Sequence, residues 1–196
     1  MFIITISRRF ICENNAARWF CGFDLTELGL DSLNNKTLEK ITADKDAKFE
    51  AKSKDKIWYG YKQHVAADMQ SGMINKIAIT PANIIDSKGM KHVIPNSGAV
   101  YADKGYCDKN AKIAAAKRNL HLAAIKKNNM QHKNHDLDSY YTKLRAPFEH
   151  IFSKQNKRVR YKGIAKNQFT AFMQAIAFNF KRLVVLATPT PPILTS

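Results

Sequence analysis

Two acidic residues stand out because of where they lie in a strongly basic chain. Glu149 is the only acidic residue between Ser139 and Ser196, a stretch that contains ten lysines and arginines. Asp103 directly follows an apolar run, residues 99–102, that is typical of a buried strand. Two carboxylates can share divalent cations, and surrounding basic side chains can hold phosphate groups. This combination favours a metal-dependent enzyme that acts on nucleic acid.

Each acid also has an ordinary structural explanation. Asp103 alone could be a turn residue or a helix cap at the end of its strand. Glu149 follows Arg145 by four residues, so the two could form an ion pair on one face of a helix. Neither residue by itself therefore establishes a catalytic site.

The overall charge narrows the class of partner. The chain has 196 residues, of which 32 are Lys or Arg and 16 are Asp or Glu, for a formal net charge of +16. Such an excess predicts strong, salt-sensitive attraction to a polyanion, and nucleic acid is the leading candidate. An anionic membrane surface, or a basic protein without a specific polyanionic partner, is the alternative. The length allows one well-buried core.

Targeting and redox features favour a cytoplasmic protein. Cys12, Cys21 and Cys107 form no CxxC pair and have no zinc-site spacing, which fits a reducing compartment. The apolar run at the start is too short for a signal peptide, and a basic pair follows it instead of preceding it. Polar and charged residues interrupt the late apolar stretch, residues 169–187, which argues against a membrane span.

Hydrophobic periodicity and turn residues predict an alternation of strands and helices. Strands 57–68 and 73–80 are predicted to form a hairpin, followed by a helix at 86–93 capped by Asn83 or Asp86 and a strand ending at Asp103. A helix at 109–118 and a strand at 121–125 come next. The last two elements are a helix capped by Asp138, which carries Arg145 and Glu149 and is kinked or restarted at Pro147, and a final helix. Residues 39–56 are predicted as an exposed loop and residues 126–134 as a basic, polar loop. This order predicts an α/β fold with helices packed on a mixed sheet.

The final helix has the clearest pattern. Its large apolar residues recur at spacings of three and four, which predicts one stripe that faces a core. The stripe consists of Phe169, Phe172, Met173, Ile176, Phe180, Leu183 and Val184. The prolines that follow Thr188 predict the end of the ordered chain.

Four short motifs occur in an order that resembles a known family. They are Gly60-Tyr61-Lys62-Gln63-His64, Thr80-Pro81-Ala82-Asn83 with Asp86, Tyr101-Ala102-Asp103-Lys104-Gly105-Tyr106, and Arg145-Ala146-Pro147-Phe148-Glu149. Together they resemble the motifs of bacterial insertion-sequence transposases, most closely the insertion-sequence-five type, over residues 40–186. The resemblance implies a DDE catalytic core on an RNase H-like fold, an α/β mixed sheet with flanking helices.

The resemblance also implies roles for the two acids. Asp103 would be the second acid of the DDE triad and Glu149 the third, both ligands of catalytic Mg²⁺ or Mn²⁺. Of two metal ions, one would activate the attacking water or 3′-hydroxyl and the other would stabilise the leaving oxygen. The implied partner is double-stranded DNA at insertion-sequence terminal repeats. The protein would be cytoplasmic and nucleoid-associated, with no membrane partner, and could form a homo-oligomer.

Basic and polar residues near these motifs are candidate DNA contacts. Lys62 and His64 share one face of the first hairpin strand, and a polar face near the DNA explains this as well as a solvent-exposed hairpin face does. Arg145 shares a helical face with Glu149 and would orient it or contact the DNA backbone. The remaining candidates are Lys104, Lys154, Lys157, Arg158, Arg160 and Lys162. For residues 158–163 a solvated turn is the alternative.

One expected motif is not found, the first acid of the triad, which the family carries on the first strand of its sheet. The acids that precede the hairpin lie in a lysine-rich loop or outside any strand pattern. We therefore predict an internal deletion near Gly29–Ser32 that removed this strand and its Asp. Residues 1–38 would be a remnant of a helical N-terminal region, 39–187 an incomplete core and 188–196 a disordered tail.

The predicted deletion has two consequences. In an RNase H-like sheet the missing strand lies between the hairpin and the strand that ends at Asp103, so unpaired backbone groups would destabilise the sheet unless another segment replaced it. Phe2–Ile6 is apolar and β-prone enough to do so, but it carries no carboxylate. The chain is thus predicted to be a DDE transposase with impaired cleavage. A non-catalytic DNA-binding remnant is the alternative, and a basic RNA-binding protein ranks last.

Overall fold

The strands form one mixed sheet. The computed structural model describes residues 2–11, 43–53, 56–149, 151 and 161–188. The strands are β1 (Phe2–Ile11), β2 (Lys48–Ser53), β3 (Lys56–Asp68), β4 (Ile74–Pro81), β5 (Ala99–Ala102) and β6 (His121–Ala124). The long strand β3 organises the antiparallel half, because β2 and β4 pair with one of its edges and β1 pairs with the other. Beyond β1, the strands β5 and β6 continue the sheet as parallel neighbours.

The helices confirm most of the predicted order. Those that lie wholly within the described residues are α1 (Asp86–Val93), α2 (Lys109–Ala116), α3 (His135–Arg145) and α4 (Ile164–Ala187), with 3-10 turns at Lys104–Tyr106 and Ala146–Phe148. Three local predictions were wrong. Residues 48–53 are a strand instead of a loop. Helix α1 follows Ile85 without a side-chain cap, and α3 is capped by Asn134, which places Asp138 inside its first turn.

Helices cover both faces of the sheet because side chains alternate along each strand. On one face Tyr61 and Val65 of β3 belong to a core cluster that includes residues of α4. On the other face Val100 and Ala102 of β5 pack with residues of α1 and α2. The sheet is therefore the central layer, as the predicted α/β arrangement requires.

Helix α4 lies against β4, and two amide side chains hold it there. Gln168 accepts a hydrogen bond from the Ile79 N–H at 2.7 Å and donates to the Ile77 carbonyl at 3.1 Å. Asn179 forms the same kind of pair with the N–H and carbonyl of Ile74, at 2.8 and 2.9 Å. The two amides are about three helical turns apart, so they lie on one side of the helix. They supply partners to the edge of β4 that faces away from β3.

The predicted apolar stripe of α4 does not face the core. Its members Phe169, Phe172, Met173, Ile176, Phe180, Leu183 and Val184 are 47–66% exposed. The side that packs on the sheet instead contains Ala171, Ala175 and Phe178, which are buried. Two alanines one turn apart let the helix approach the strands closely. The periodicity therefore identified the helix correctly, but the prediction of which face packs was wrong.

By length and composition, α4 is also a helix that could cross a membrane, and it is the one such helix among the residues that the structure describes. A single helix of this kind is weak evidence for a membrane span. Besides its amide bonds to β4, it is held at its far end by Arg182, whose Nε donates to the Ser71 carbonyl at 2.7 Å. These contacts keep it on the sheet along its length.

A strand occupies the position where one was predicted to be missing. β1 lies between β3 and β5, antiparallel to β3 over residues 3–11 and parallel to β5 over residues 2–5, where Thr5 lies beside Ala102. The expectation of a sheet without its first strand is therefore corrected, and the alternative that Phe2–Ile6 replaces it is confirmed with a longer segment. The predicted deletion junction and the tail after Thr188 lie outside the described residues, and the proposed domain limits stay predictions.

Candidate functional site

Asp103 lies at the carboxyl end of a strand that is paired on both sides. It directly follows β5, and its carboxylate accepts a hydrogen bond from the Lys104 N–H at 2.7 Å, which begins the 3-10 turn Lys104–Tyr106. Its side chain is 51% exposed. The turn-residue explanation of Asp103 is thus correct, and it leaves about half of the side chain open to solvent.

Arg145 joins Asp103 to Glu149. Its Nη1 lies 3.4 Å from Asp103 Oδ1, and its Nη2 lies 3.2 Å from Glu149 Oε1. The Arg145 side chain is 7% exposed, whereas that of Glu149 is 59% exposed. A buried cation therefore brings together two exposed carboxylates that are far apart in the sequence.

The backbone between Arg145 and Glu149 changes its helical form. Arg145 is the last residue of α3, and Ala146–Phe148 continue as a 3-10 turn with Pro147 in its first positions. Pro147 has no N–H to donate, so it ends the regular hydrogen-bond ladder of α3. Phe148 is buried in the core cluster that also contains α4 residues. This anchor fixes the turn and leaves Glu149 at the surface beside Arg145, as the predicted ion pair and restart require.

The ligands at this position fall short of a two-metal centre. Asp103 and Glu149 supply the oxygen ligands that Mg²⁺ and Mn²⁺ prefer, and they suit one ion that keeps several of its waters. Among the described residues, however, no three His, Cys, Asp or Glu side chains lie close enough together to hold a metal ion. The neighbouring strand β1 has no Asp or Glu in its sequence. The residues present do not fit a pair of catalytic metal ions.

A basic loop lies beside the carboxylates. The ammonium groups of Lys104 and Lys133 lie 3.3 and 3.2 Å from the same atom, Asn128 Oδ1. Two neighbouring cations repel each other, and the carbonyl dipole of Asn128 and the Asp138 carboxylate, 3.9 Å from Lys133 Nζ, offset part of this repulsion. Because Lys104 follows Asp103, a phosphate oxygen bound by the two lysines would lie close to the carboxylates. Sequence reasoning missed Asn128 and Lys133, since nothing local shows that their loop returns to Lys104.

Lys62 does not face solvent. Its Nζ lies 2.5 Å from Glu50 Oε1 and 3.2 Å from Asp86 Oδ1, and it donates to the Ile84 carbonyl at 2.9 Å. These three acceptors match the three protons of the ammonium group. The alternative of a solvent-exposed hairpin face is therefore wrong, and a DNA contact by Lys62 would require this network to open.

His64 is also fully buried on the same face of β3. Its Nδ1 lies 2.9 Å from the Tyr106 hydroxyl, and its Nε2 lies 2.9 Å from the Thr80 hydroxyl. Burial lowers the pKa of His64 from 6.5 to about 4, so the ring is neutral at physiological pH. The charged and titratable neighbours that act on it are Asp86, Lys62 and His92. His64 thus has the contacts of a core histidine whose hydrogen bonds are satisfied.

Two of the other candidate DNA contacts lie within the described residues. Lys104 and Lys162 are exposed. Lys154, Lys157, Arg158 and Arg160 lie in a segment outside the described residues, so their roles stay predictions.

A match to a known protein family covers the whole site. The model of the transposase DDE domain matches residues 30–180, which is more than half of the chain and includes Asp103, Arg145 and Glu149. The chain belongs to this family. Membership makes it a transposase domain, and the family implies DNA as its partner and suggests a soluble, cytoplasmic protein. Family members normally use a divalent metal. A comparison with curated proteins finds no match.

Proposed function

We propose that this DDE transposase domain binds the duplex DNA of insertion-sequence ends and that its cleavage activity is impaired. The observation that carries the proposal is the convergence of Asp103 and Glu149 on the Arg145 guanidinium. Beside them, Lys104 and Lys133 share Asn128 and offer positive charge to a phosphate. Carboxylates next to a phosphate-binding surface are the arrangement that phosphodiester chemistry uses.

The strand order supports an RNase H-like fold for this core. Strands β4, β3 and β1 are antiparallel neighbours, and β5 and β6 follow β1 in parallel. A central strand thus separates the hairpin from the strand that ends at Asp103, as the resemblance to insertion-sequence transposases implies. All four motifs lie within the matched residues 30–180, and their resemblance to the insertion-sequence-five type is the basis on which we propose that narrower assignment.

The proposed impairment follows from what β1 lacks. The parallel register places Thr5 beside Ala102, so the next residue, Ile6, would be level with Asp103. No residue of β1 is acidic, so the strand completes the sheet without supplying a third carboxylate. The internal deletion remains our explanation for this loss. The family match begins at residue 30, inside the interval proposed for the junction, which supports it.

The charge distribution supports DNA as the ligand. With a net charge of +16, the chain should release many counterions from a duplex when it binds. We assign phosphate contacts to Lys104, Lys133 and Lys162, and on sequence grounds to Lys154, Lys157, Arg158 and Arg160. Lys62 and His64 are left out because both are buried. The same charge would favour association with the nucleoid.

Fluorescence anisotropy of labelled duplex DNA over a range of salt concentrations tests the binding step. Lys104→Ala should weaken binding and reduce the magnitude of the log-log salt slope by about 0.9, the value of one phosphate contact. Lys112→Ala, an exposed lysine on α2, is the matched control and should leave the slope unchanged. A chain that binds RNA more tightly than duplex DNA would instead support the RNA-binding alternative.

Nicking of supercoiled DNA in Mg²⁺ tests the impairment. We expect no more nicking by this chain than by its Asp103→Ala variant. Glu149→Ala should bind DNA as tightly as the unchanged chain or more tightly, because it removes a negative charge near the phosphates. Robust nicking that Asp103→Ala abolishes would contradict the impairment and support a complete catalytic centre. Metal-independent binding without nicking would favour the second candidate, a DNA-binding remnant.

A further inference from the structure

The outward face of α4 carries a row of large apolar side chains at regular spacing. Phe169, Met173, Ile176, Phe180 and Leu183 are separated by four, three, four and three residues, and each is 47–65% exposed. Ala187, four residues further on, continues the series and is also exposed. We call these six residues the α4 row. They include five of the seven residues that were predicted to face the core.

The spacing of the α4 row is that of a helix pair. Alternating steps of four and three residues average 3.5, the repeat with which one helix keeps the same face toward a partner helix. The positions that flank the row are uncharged, and they include Phe172, Ala177, Val184 and Leu186. Within the α4 row itself, the uncharged flanks leave no charge repulsion to prevent pairing with an identical seam.

The opposite face of α4 is already occupied. Gln168 and Asn179 bond to β4, Arg182 bonds to Ser71, and Ala175 is buried on the sheet. The α4 row therefore points away from the protein's own core. Helix α4 would also have to break these bonds before it could insert into a membrane. Any partner of the α4 row must therefore bind to α4 while the helix stays packed on the sheet.

The size of the apolar surface matches a protein interface. The α4 row and its flanks include eight large apolar side chains, and at roughly 100 Å² exposed for each half-exposed side chain they present on the order of 800 Å². The largest apolar patch on a typical monomer is about 300–600 Å². One partner in a standard interface buries about 800 Å².

We propose that a second copy of this chain covers the α4 row, with the two α4 helices packed antiparallel about a two-fold axis. In this pairing Phe169 lies opposite Ala187, Met173 opposite Leu183, and Ile176 opposite Phe180. The largest side chain at one end of the row thus meets the smallest at the other end. The proposal stands independently of the proposed function.

Lys166 decides between the two possible orientations. It lies seven residues before Met173, at the same position of the repeat. In a parallel pair the two Lys166 ammonium groups would face each other and repel. In an antiparallel pair each one lies beyond Ala187 of the other copy, near the carboxyl end of that helix, where a positive charge is favourable.

Sedimentation velocity of the full chain over a range of concentrations tests the dimer. Ile176→Glu should raise the dissociation constant of the dimer at least about 100-fold, because it places a carboxylate in each half of the buried seam. Val185→Glu is the matched control: it adds the same charge to another exposed apolar position of α4, outside the row. It should leave the dimer intact. Far-UV circular dichroism should show that both variants keep the helix content of the unchanged chain.

Disulfide trapping tests the orientation. A mixture of Ile176→Cys and Phe180→Cys chains should form a mixed disulfide faster than either variant forms one with itself. Faster trapping of each variant with itself would overturn the antiparallel pairing. A monomer at every concentration, or a dimer that Ile176→Glu leaves unchanged, would overturn the proposal. So would a monomer that floats with phosphatidylcholine vesicles and loses this binding in Ile176→Glu, since lipid would then be the partner.

Discussion

Strands β5 and β1 lie side by side at the candidate site, and they differ in what each brings to it. β5 leads directly into Asp103, whose carboxylate reaches Arg145. β1 runs parallel to β5 and places Thr5 beside Ala102, yet it carries no acidic residue. Both strands complete the hydrogen bonds of the sheet, and only β5 contributes a candidate ligand.

The difference separates two requirements that a catalytic sheet must meet. Backbone pairing needs a β-prone segment of the right length, and it does not depend on which side chains that segment carries. A metal site needs particular side chains at particular positions. A segment from elsewhere in the chain can therefore restore the fold without restoring the chemistry.

The largest expected effect comes from breaking β1 itself. Ile4→Pro removes a backbone donor from a strand paired on both sides, and it should destabilise the fold by about 3 kcal/mol or more. This is a large part of a typical domain stability of about 5–15 kcal/mol. Thermal unfolding followed by circular dichroism should lose its cooperativity or shift far downward. Ile11→Pro is the control, since residue 11 lies beyond the part of β1 that pairs with β5. Equal melting of both variants would show that β1 does not hold the two halves together.

Acid should weaken the sheet on the other side of β1, where His64 of β3 is the register partner of Ser7. His64 has a pKa of about 4 in the folded chain and 6.5 when unfolded, chiefly because it is buried. Between these two pH values His64 binds a proton in the unfolded chain and stays neutral in the folded chain. The free energy of unfolding therefore falls as the pH drops from about 6.5 to 4, by about 3 kcal/mol. Urea unfolding across this range measures the loss.

His64→Gln should remove this part of the pH dependence. His92→Gln is the matched control. Partial desolvation also lowers the pKa of His92, but this residue is exposed, whereas His64 is fully buried. This control should keep most of the dependence. A His64→Gln chain that loses stability in acid as steeply as the unchanged protein would contradict the assignment.

Removing Arg145 should destabilise the fold by less than the changes above, and it should strengthen metal binding. Arg145→Leu takes away a buried cation, leaves two carboxylates to repel each other, and should cost about 1–2 kcal/mol because both acids are largely solvated. Mg²⁺ should then raise the melting temperature more than it does in the unchanged chain. Lys143→Leu, an exposed position of α3, should change neither quantity. Weaker Mg²⁺ stabilisation in Arg145→Leu would mean that Arg145 supports the metal ligands and does not compete with the ion.

The smallest expected effect comes from adding an acidic residue to β1. Ile6→Asp places a carboxylate level with Asp103, and a third acidic ligand should tighten Mg²⁺ binding by about tenfold. Thr5→Asp is the control, because successive residues of a strand face opposite sides of the sheet. Isothermal titration calorimetry compares the two variants. Equal affinities would show that β1 does not lie in the register that we describe.

Local patterns predicted much of the fold, and long-range pairing limited the rest. The β3–β4 hairpin, helix α1 and strand β5 have turn residues and periodicities that lie within a few positions of each other. β1 could be offered only as an alternative, because nothing near residues 2–11 shows that they pair with residues 60–68. The same limit explains α4, where the periodicity cannot tell a face that meets the sheet from one that meets another partner.

The site was predicted in part for the same reason. Asp103, Arg145 and Glu149 belong to recognisable motifs, so their types and order pointed to shared chemistry. The alternation along β3 placed Lys62 and His64 on one face correctly. It could not show that Glu50 and Asp86 enclose Lys62 there, because these partners come from distant segments. The roles of Lys154, Lys157, Arg158 and Arg160 remain predictions.

The amide contacts of α4 with β4 have a consequence for shortened forms of this chain. Gln168 and Asn179 occupy backbone groups on the edge of β4 that faces away from β3. A product that ended before Ile164 would leave this edge open, and an open strand edge recruits strands from other molecules. Such a product would aggregate even with β1 in place. Helix α4 thus keeps the protein soluble by covering an edge of the sheet, although it contributes no strand to it.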